Sequence, residues 1–362
     1  MEAMRPTLTK LRLFAPSRAP RPLYRCLHTS ASRHATPLPH PSVPGPPPET
    51  PTPQASDALD RVARKRKQAE LLNQAREVRA SPTKSKTLLQ KRFWKDVVVK
   101  ETPEGFQVFL DSRPVRTPSK EILTLPSSKH QLATAIALEW DLLLSAQQAL
   151  KTHYIPMTSL AARAVDIENT EAEGNTKIRG DTIDMLMRYL STDTLLCWAE
   201  EKSLHDAQNS VPSLRKAQME AAFPIIAYLT THVWPGVEIK PILEPDSIMP
   251  IAQPDMTQAV LRGWLTNLPA FELAGLERAV LASKSLLVGV RLVHEWGEAF
   301  AQARGAGGAA RFGIQDAADA ASLEVRWQTR QWGEVEDTHD VEKEDMKRQL
   351  GNAVLLVGGE NA

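Results

Sequence analysis

Two cysteines in 362 residues, Cys26 and Cys197, are too few for a disulfide framework and cannot make a zinc site without several histidines. The nine histidines are scattered, and His294-Glu295 lacks the second histidine one turn later that a zinc-binding helix needs. No G-x-S-x-G nucleophile elbow is present. The glycines of GAGGAARFG (Gly305, Gly307, Gly308) lack the Lys-Ser/Thr ending of a phosphate-binding loop and any strand before them. No apolar run approaches the roughly 18 residues of a membrane-spanning helix. A strongly basic domain that would clamp nucleic acid is also missing, with Lys+Arg at 44 against Asp+Glu at 43. The one dense basic run, RVARKRK from Arg61 to Lys67, has no interleaved aromatic residue and reads as a solvated helix face. Cys197, in the apolar string TLLCWAE, reads as an inert buried thiol.

The charge that is present is unevenly spread. Residues 1–33 hold seven basic residues against the single acid Glu2, so this segment carries +6 and the remainder −5. Arginine, serine and threonine with almost no acid, and Leu8, Leu11, Leu13 and Phe14 at roughly helical spacing, mark a mitochondrial transit peptide. Residues 34–90 form a Pro-rich linker and a charged helix. Nine of the 27 prolines fall within 35–54, where missing amide donors and fixed φ angles forbid helix or central strand.

From Phe93 the pattern changes. Val97 to Val99 and Phe106 to Leu110 read as strands separated by a turn, with Phe106, Val108 and Leu110 on one face at a period of two. Asp111 to Pro114 makes the next turn, Val115 to Thr117 a third strand and Leu123 to Leu125 a fourth. The expectation is a small antiparallel β domain over 91–127. Helices follow over 128–357. Ser127 or Ser128 caps a helix with Leu132, Ile136 and Trp140 on its apolar face. Further helices are expected around Ile178 to Leu190, from Leu214 with a bend or break at Pro224, over 255–267, 269–282 and 284–303, from Asp316 as cap to about Gln331, and from Asp340 to Val357. Residues 303–313 read as a flexible loop.

The positions that remain for function are acidic and aromatic. The first helix ends in Glu139-Trp140-Asp141, where Trp140 is expected to pack against the sheet and the two acids to be solvated. Glu324, Trp327 and Gln331 lie three and four apart on one helical face, so a carboxylate, an indole and an amide would be offered together to a partner's Arg or Lys. The competing reading is an ordinary amphipathic helix with Trp327 buried and Glu324 wet.

Five ordered blocks, RFWKDVVV, LDSRPVRTP, LATAIALEWD, MTSLAARAVD and STDTLLCWAE, with a later QWGEVEDTHD, resemble the mitochondrial F1 ATP synthase assembly factor 2 family. The resemblance implies an α+β fold, a small β-rich N-terminal domain followed by a larger all-helical domain. It implies a chaperone that binds the unassembled F1 alpha subunit in the mitochondrial matrix, with no cofactor, no metal and no catalysis. By the same resemblance Glu324 matches a functionally important glutamate, which makes Glu324, Trp327 and Gln331 the partner-binding candidates. Trp140 and Asp166 are assigned structural roles. Two departures stand out: Ala222-Phe223-Pro224 replaces the family's Trp-Asp-Pro, and 303–313 looks like an insertion. The alternatives are a stable accessory subunit of a mitochondrial complex, an enzyme using Glu324 or Asp166 as acid or base, and a matrix RNA-binding protein resting on the run at Arg61.

Overall fold

A computed structural model of the chain describes residues 91–200, 213–243, 249–303, 311–335 and 338–359. The expected transit peptide, the expected Pro-rich linker and charged helix, and the glycine cluster at 305–308 lie outside the described residues. What is described is a small sheet followed by many helices.

Strands β1 (Val97–Thr102) and β2 (Gly105–Leu110) form an antiparallel hairpin in which Val97 faces Leu110 and Thr102 faces Gly105. Gly105 has φ +133°, and a Cβ there would collide with the carbonyl of Leu125, so this turn accepts only glycine. The period-two face is real: Val108 and Leu110 are buried and Phe106 packs against them. The third strand is displaced from the expected Val115 to Thr117. It is the two-residue β3 (Arg113–Pro114), and beyond it Val115 donates to the Val108 carbonyl at 2.9 Å. β4 (Thr124–Leu125) pairs the other end of β2, which makes β2 the sheet's centre.

The turn in LDSRP has a physical reason. Asp111 sits at φ +55°, and its carboxylate accepts amide protons from Lys95 at 3.1 Å and Asp96 at 2.9 Å. Those two amides hold its carboxyl below the usual aspartate range.

Helix α1 (His130–Leu142) lays Leu132, Ala133 and Ile136 against the sheet. Its expected serine cap is absent. Lys129 occupies the N-cap position, and the Ser128 hydroxyl donates instead to Glu298 at 2.8 Å. Helix α2 (Pro156–Ala172) starts with proline at its first turn, and α3 (Lys177–Leu190) follows. Helix α4 (Leu214–Tyr228) runs through Pro224 without ending and passes into a π-helical turn at Leu229–Val233. Pro224 lies on the exposed face of the helix.

After α5 (Asp255–Thr266), the helices α6 (Ala270–Ser283) and α7 (Leu286–Trp296) form the centre of the core and are buried along almost their whole length. α7 is shorter than the sequence suggested. Gly297 adopts extended backbone and a 3-10 turn (Glu298–Phe300) follows, held by Glu272, which accepts from the Ala299 amide at 3.1 Å. The helix expected from Asp316 to Gln331 is two, α8 (Ile314–Ala321) and α9 (Leu323–Trp332), separated at Ser322. Asp316 does not cap from outside. It sits inside the first turn, where its carboxylate accepts the Gly313 amide at 2.8 Å. The last helix, α10 (His339–Val357), packs on α6 through Leu350, Ala353, Leu356 and Val357. Among the described residues no helix is long and apolar enough to cross a membrane.

Candidate functional site

Buried charged groups at three helix ends fix the frame that carries the site. The Glu139 carboxylate accepts from the Met157 amide at 2.6 Å and from the Thr158 amide and hydroxyl, each at 2.9 Å. It therefore caps α2 from the end of α1, where the orphan amides and the positive end of the helix dipole lie. The expectation of a solvated Glu139 is corrected: burial pushes its carboxyl up, against the lowering effect of those three donors. Asp141 does stay exposed, 3.4 Å from the Arg92 guanidinium.

Lys129 is only 4% exposed. Its ammonium donates to the carbonyls of Leu356 at 3.0 Å, Val357 at 3.3 Å and Gly358 at 3.0 Å, satisfying the C-terminus of α10. Burial pushes its pKa down, while Glu272 and Glu298 pull it back up. One lysine thus ties the start of the helical region to the far end of the described chain.

Asp193 is fully buried and bridges two segments in the same way. It accepts from the Leu195 amide at 2.9 Å and from the Leu287 amide, in the first turn of α7, at 3.0 Å. Ser285 caps the same end, accepting from the Val288 amide at 3.1 Å. Loss of solvent dominates over these bonds and pushes the Asp193 carboxyl up to about 6.

The aromatic half of the Glu-Trp-Asp motif behaves as expected in kind. Trp140 is half-buried, meets Trp94 edge-to-face at 5.3 Å, and donates from Nε1 to the Thr158 hydroxyl at 3.1 Å. Trp94 returns a bond from its own Nε1 to the Trp140 carbonyl at 3.3 Å. Asp166 is half-buried, with Oδ1 enclosed and without a hydrogen-bond partner among the described residues.

Helix α9 carries the partner-binding candidates and has no fully buried residue. Glu324 is exposed in its first turn, where the helix dipole favours an acid, and accepts from the Gln328 amide at 3.1 Å. Val325 and Trp332 are also exposed. Trp327 and Gln331 are half-buried, so the three candidates share a face but not an environment. The Trp327 Nε1 is enclosed without a hydrogen-bond partner among the described residues. Helix α9 leans on α4, and the Glu324 charge reaches Cys197, where burial first, then Asp193 and Glu324, push the thiol pKa up.

The three capping groups escaped sequence reading because their partners lie far away along the chain. One signal was available for Glu139. Pro156 at a helix start supplies orphan amides nearby, and the preceding helix ends in an acid.

Set against known proteins, residues 91–230 match the family described as ATP12 chaperone protein. Protein atp12, mitochondrial, of Schizosaccharomyces pombe is 29% identical over 266 residues, covering 74% of this chain and 81% of that protein. Protein ATP12, mitochondrial, of Saccharomyces cerevisiae is 32% identical over 294 residues, covering 76% and 86% respectively. The crystal structure of Atp12 from Paracoccus denitrificans superposes with a TM-score of 0.53 at 24% identity, over 74% of this chain and 96% of that one, a likeness of fold.

Proposed function

Because the chain belongs to the ATP12 chaperone family, we propose that it is a holding chaperone of mitochondrial ATP synthase assembly that binds the unassembled F1 alpha subunit in the matrix. The observation that carries the site in this reading is α9, a helix with no buried residue that offers Glu324, Val325 and Trp332 to solvent. Its exposed acid and aromatic suit a partner surface, while the half-buried Trp327 holds the helix to the body of the protein. The matrix address is supported by the mitochondrial names of two relatives and by the basic residues at 1–33.

The mechanism needs no bond made or broken. An unassembled alpha subunit exposes the apolar surface destined for its beta neighbours, and surfaces of that kind aggregate. Covering it keeps the subunit soluble. The chaperone binds more weakly than the beta subunits together, so assembly displaces it by mass action. No nucleotide cycle is required. Glu324 pairs with a cation of the client, with Trp327 and Gln331 on the same helical face.

The test is Glu324→Lys, assayed by pull-down of alpha subunit from matrix extract. Glu324 is exposed and bonds to Gln328 of its own helix, so the variant's stability is expected to stay within about 0.5 kcal/mol of the parent's. Alpha capture is expected to fall at least tenfold. Undiminished capture by the folded variant would overturn the assignment of Glu324.

A further inference from the structure

The outward side of α1 carries an apolar surface that the fold leaves uncovered. Leu138 and Leu142 lie four residues apart on one face of α1, and Leu142 is 69% exposed. Leu144, Leu150 at 73% and Tyr154 continue the exposed series through the connection to α2. Leu142, Leu144 and Tyr154 line a groove of about 370 Å³ together with Arg348 of α10. Five large apolar side chains held in water within 17 residues make a surface on the order of several hundred Å², the size at which an exposed patch on a monomer marks an interaction site.

Three of the charges at its rim already have partners. Glu139 is occupied by the three donors at the start of α2, and Asp141 faces Arg92. Arg348 pairs with Asp345, and Lys151 stands over the Tyr154 ring at 6.0 Å. An occupant with its own charges would lose their hydration and find, among the described residues, only Lys151 at the rim without an ion pair, whereas an uncharged one loses only unfavourably placed water. The area also falls short of the about 800 Å² per partner of a standard stable interface, which disfavours a permanent pair of copies through this face and suits a client that must leave.

We propose that the Leu138–Tyr154 surface seats an uncharged, aliphatic-rich segment of the client polypeptide, supplying the apolar half of a contact whose charged half is Glu324. The inference rests on the chaperone reading above. It assigns the two halves to separate helices: α9 selects by charge, and α1 with its following connection binds by burial.

The experiment uses the full chain with purified F1 alpha subunit as probe. Leu142→Glu combined with Leu144→Glu places charge at two exposed positions and leaves the melting temperature unchanged. It is expected to weaken alpha binding at least tenfold. A photo-crosslinking residue introduced at position 142 is expected to label an aliphatic-rich stretch of alpha. Unaltered affinity of the double variant overturns the proposal while leaving the chaperone reading intact, because the parent still binds. Crosslinks to a charged stretch of alpha, to a second copy, or to residues 1–90 of the same chain overturn it as well. No binding of alpha by the parent chain overturns both.

Discussion

Replacing Trp140 by arginine is expected to lower the melting temperature by about 10 °C. The indole fills the space beside Trp94 and donates to Thr158, so its removal loses both the edge-to-face contact and a hydrogen bond. Truncating a packed tryptophan costs roughly 3–5 kcal/mol, and each kcal/mol moves the midpoint by roughly 2–4 °C in a domain of this size. Arginine adds a second guanidinium close to Arg92, which already donates to the Asp141 carbonyl at 2.8 Å. No acid is free to receive it, since Glu139 is engaged by α2 and Asp141 by Arg92. Trp140→Phe, which keeps a ring but not Nε1, is expected to lose only about 1 kcal/mol. An unaltered melting curve for Trp140→Arg contradicts the packed position of this residue.

The second large effect belongs to Asp193. Alanine there leaves the buried Leu195 and Leu287 amides without acceptors, at about 1–3 kcal/mol each, and the midpoint is again expected to drop by about 10 °C. The pH dependence has a definite sign. The folded carboxyl titrates at about 6 against an ordinary value of 3.8, so between these limits the folded chain holds more protons than the unfolded one. The contribution of Asp193 is thus greatest below pH 3.8 and diminishes as pH rises to about 6, by about 3 kcal/mol in all. Asp193→Asn cannot titrate. The gap in melting temperature between parent and Asn variant is therefore expected to shift against the parent from pH 4 to pH 7. A gap that does not change with pH contradicts a buried, proton-holding Asp193.

What the sequence made legible was whatever depends on neighbours along the chain. The alternation at Phe106, Val108 and Leu110 marked the buried face of β2, because a pleated strand turns every second side chain inward. The three-four spacing of Leu132 and Ile136 marked the face of α1 for the same local reason. Pro224 does not end its helix, because proline removes one hydrogen bond and here it lies on an exposed face. The break at Ser322 was hidden because α8 and α9 have compatible composition, and only tertiary packing shows that they are separate. Glu139 read as a solvated acid, and nothing in the local sequence singled out Lys129 or Asp193. Their roles exist only once a helix end from elsewhere in the chain arrives beside them.

The candidate site divides along the same line. The spacing of Glu324, Trp327 and Gln331 placed them correctly on one helical face, yet gave no sign that α9 would lack a buried residue. The exposed leucines at the end of α1 were legible only as apolar positions, since periodicity assigns a face without saying whether anything covers it. Exposure of such a face is a property of the folded molecule.

The most direct measurement is light scattering of purified F1 alpha subunit diluted from denaturant, with and without an equimolar amount of this protein and in the absence of nucleotide. A chaperone that works by covering apolar surface suppresses the scattering without ATP and yields a soluble one-to-one complex. Scattering that proceeds unchanged contradicts the holding role, and so does suppression that appears only when ATP is hydrolysed.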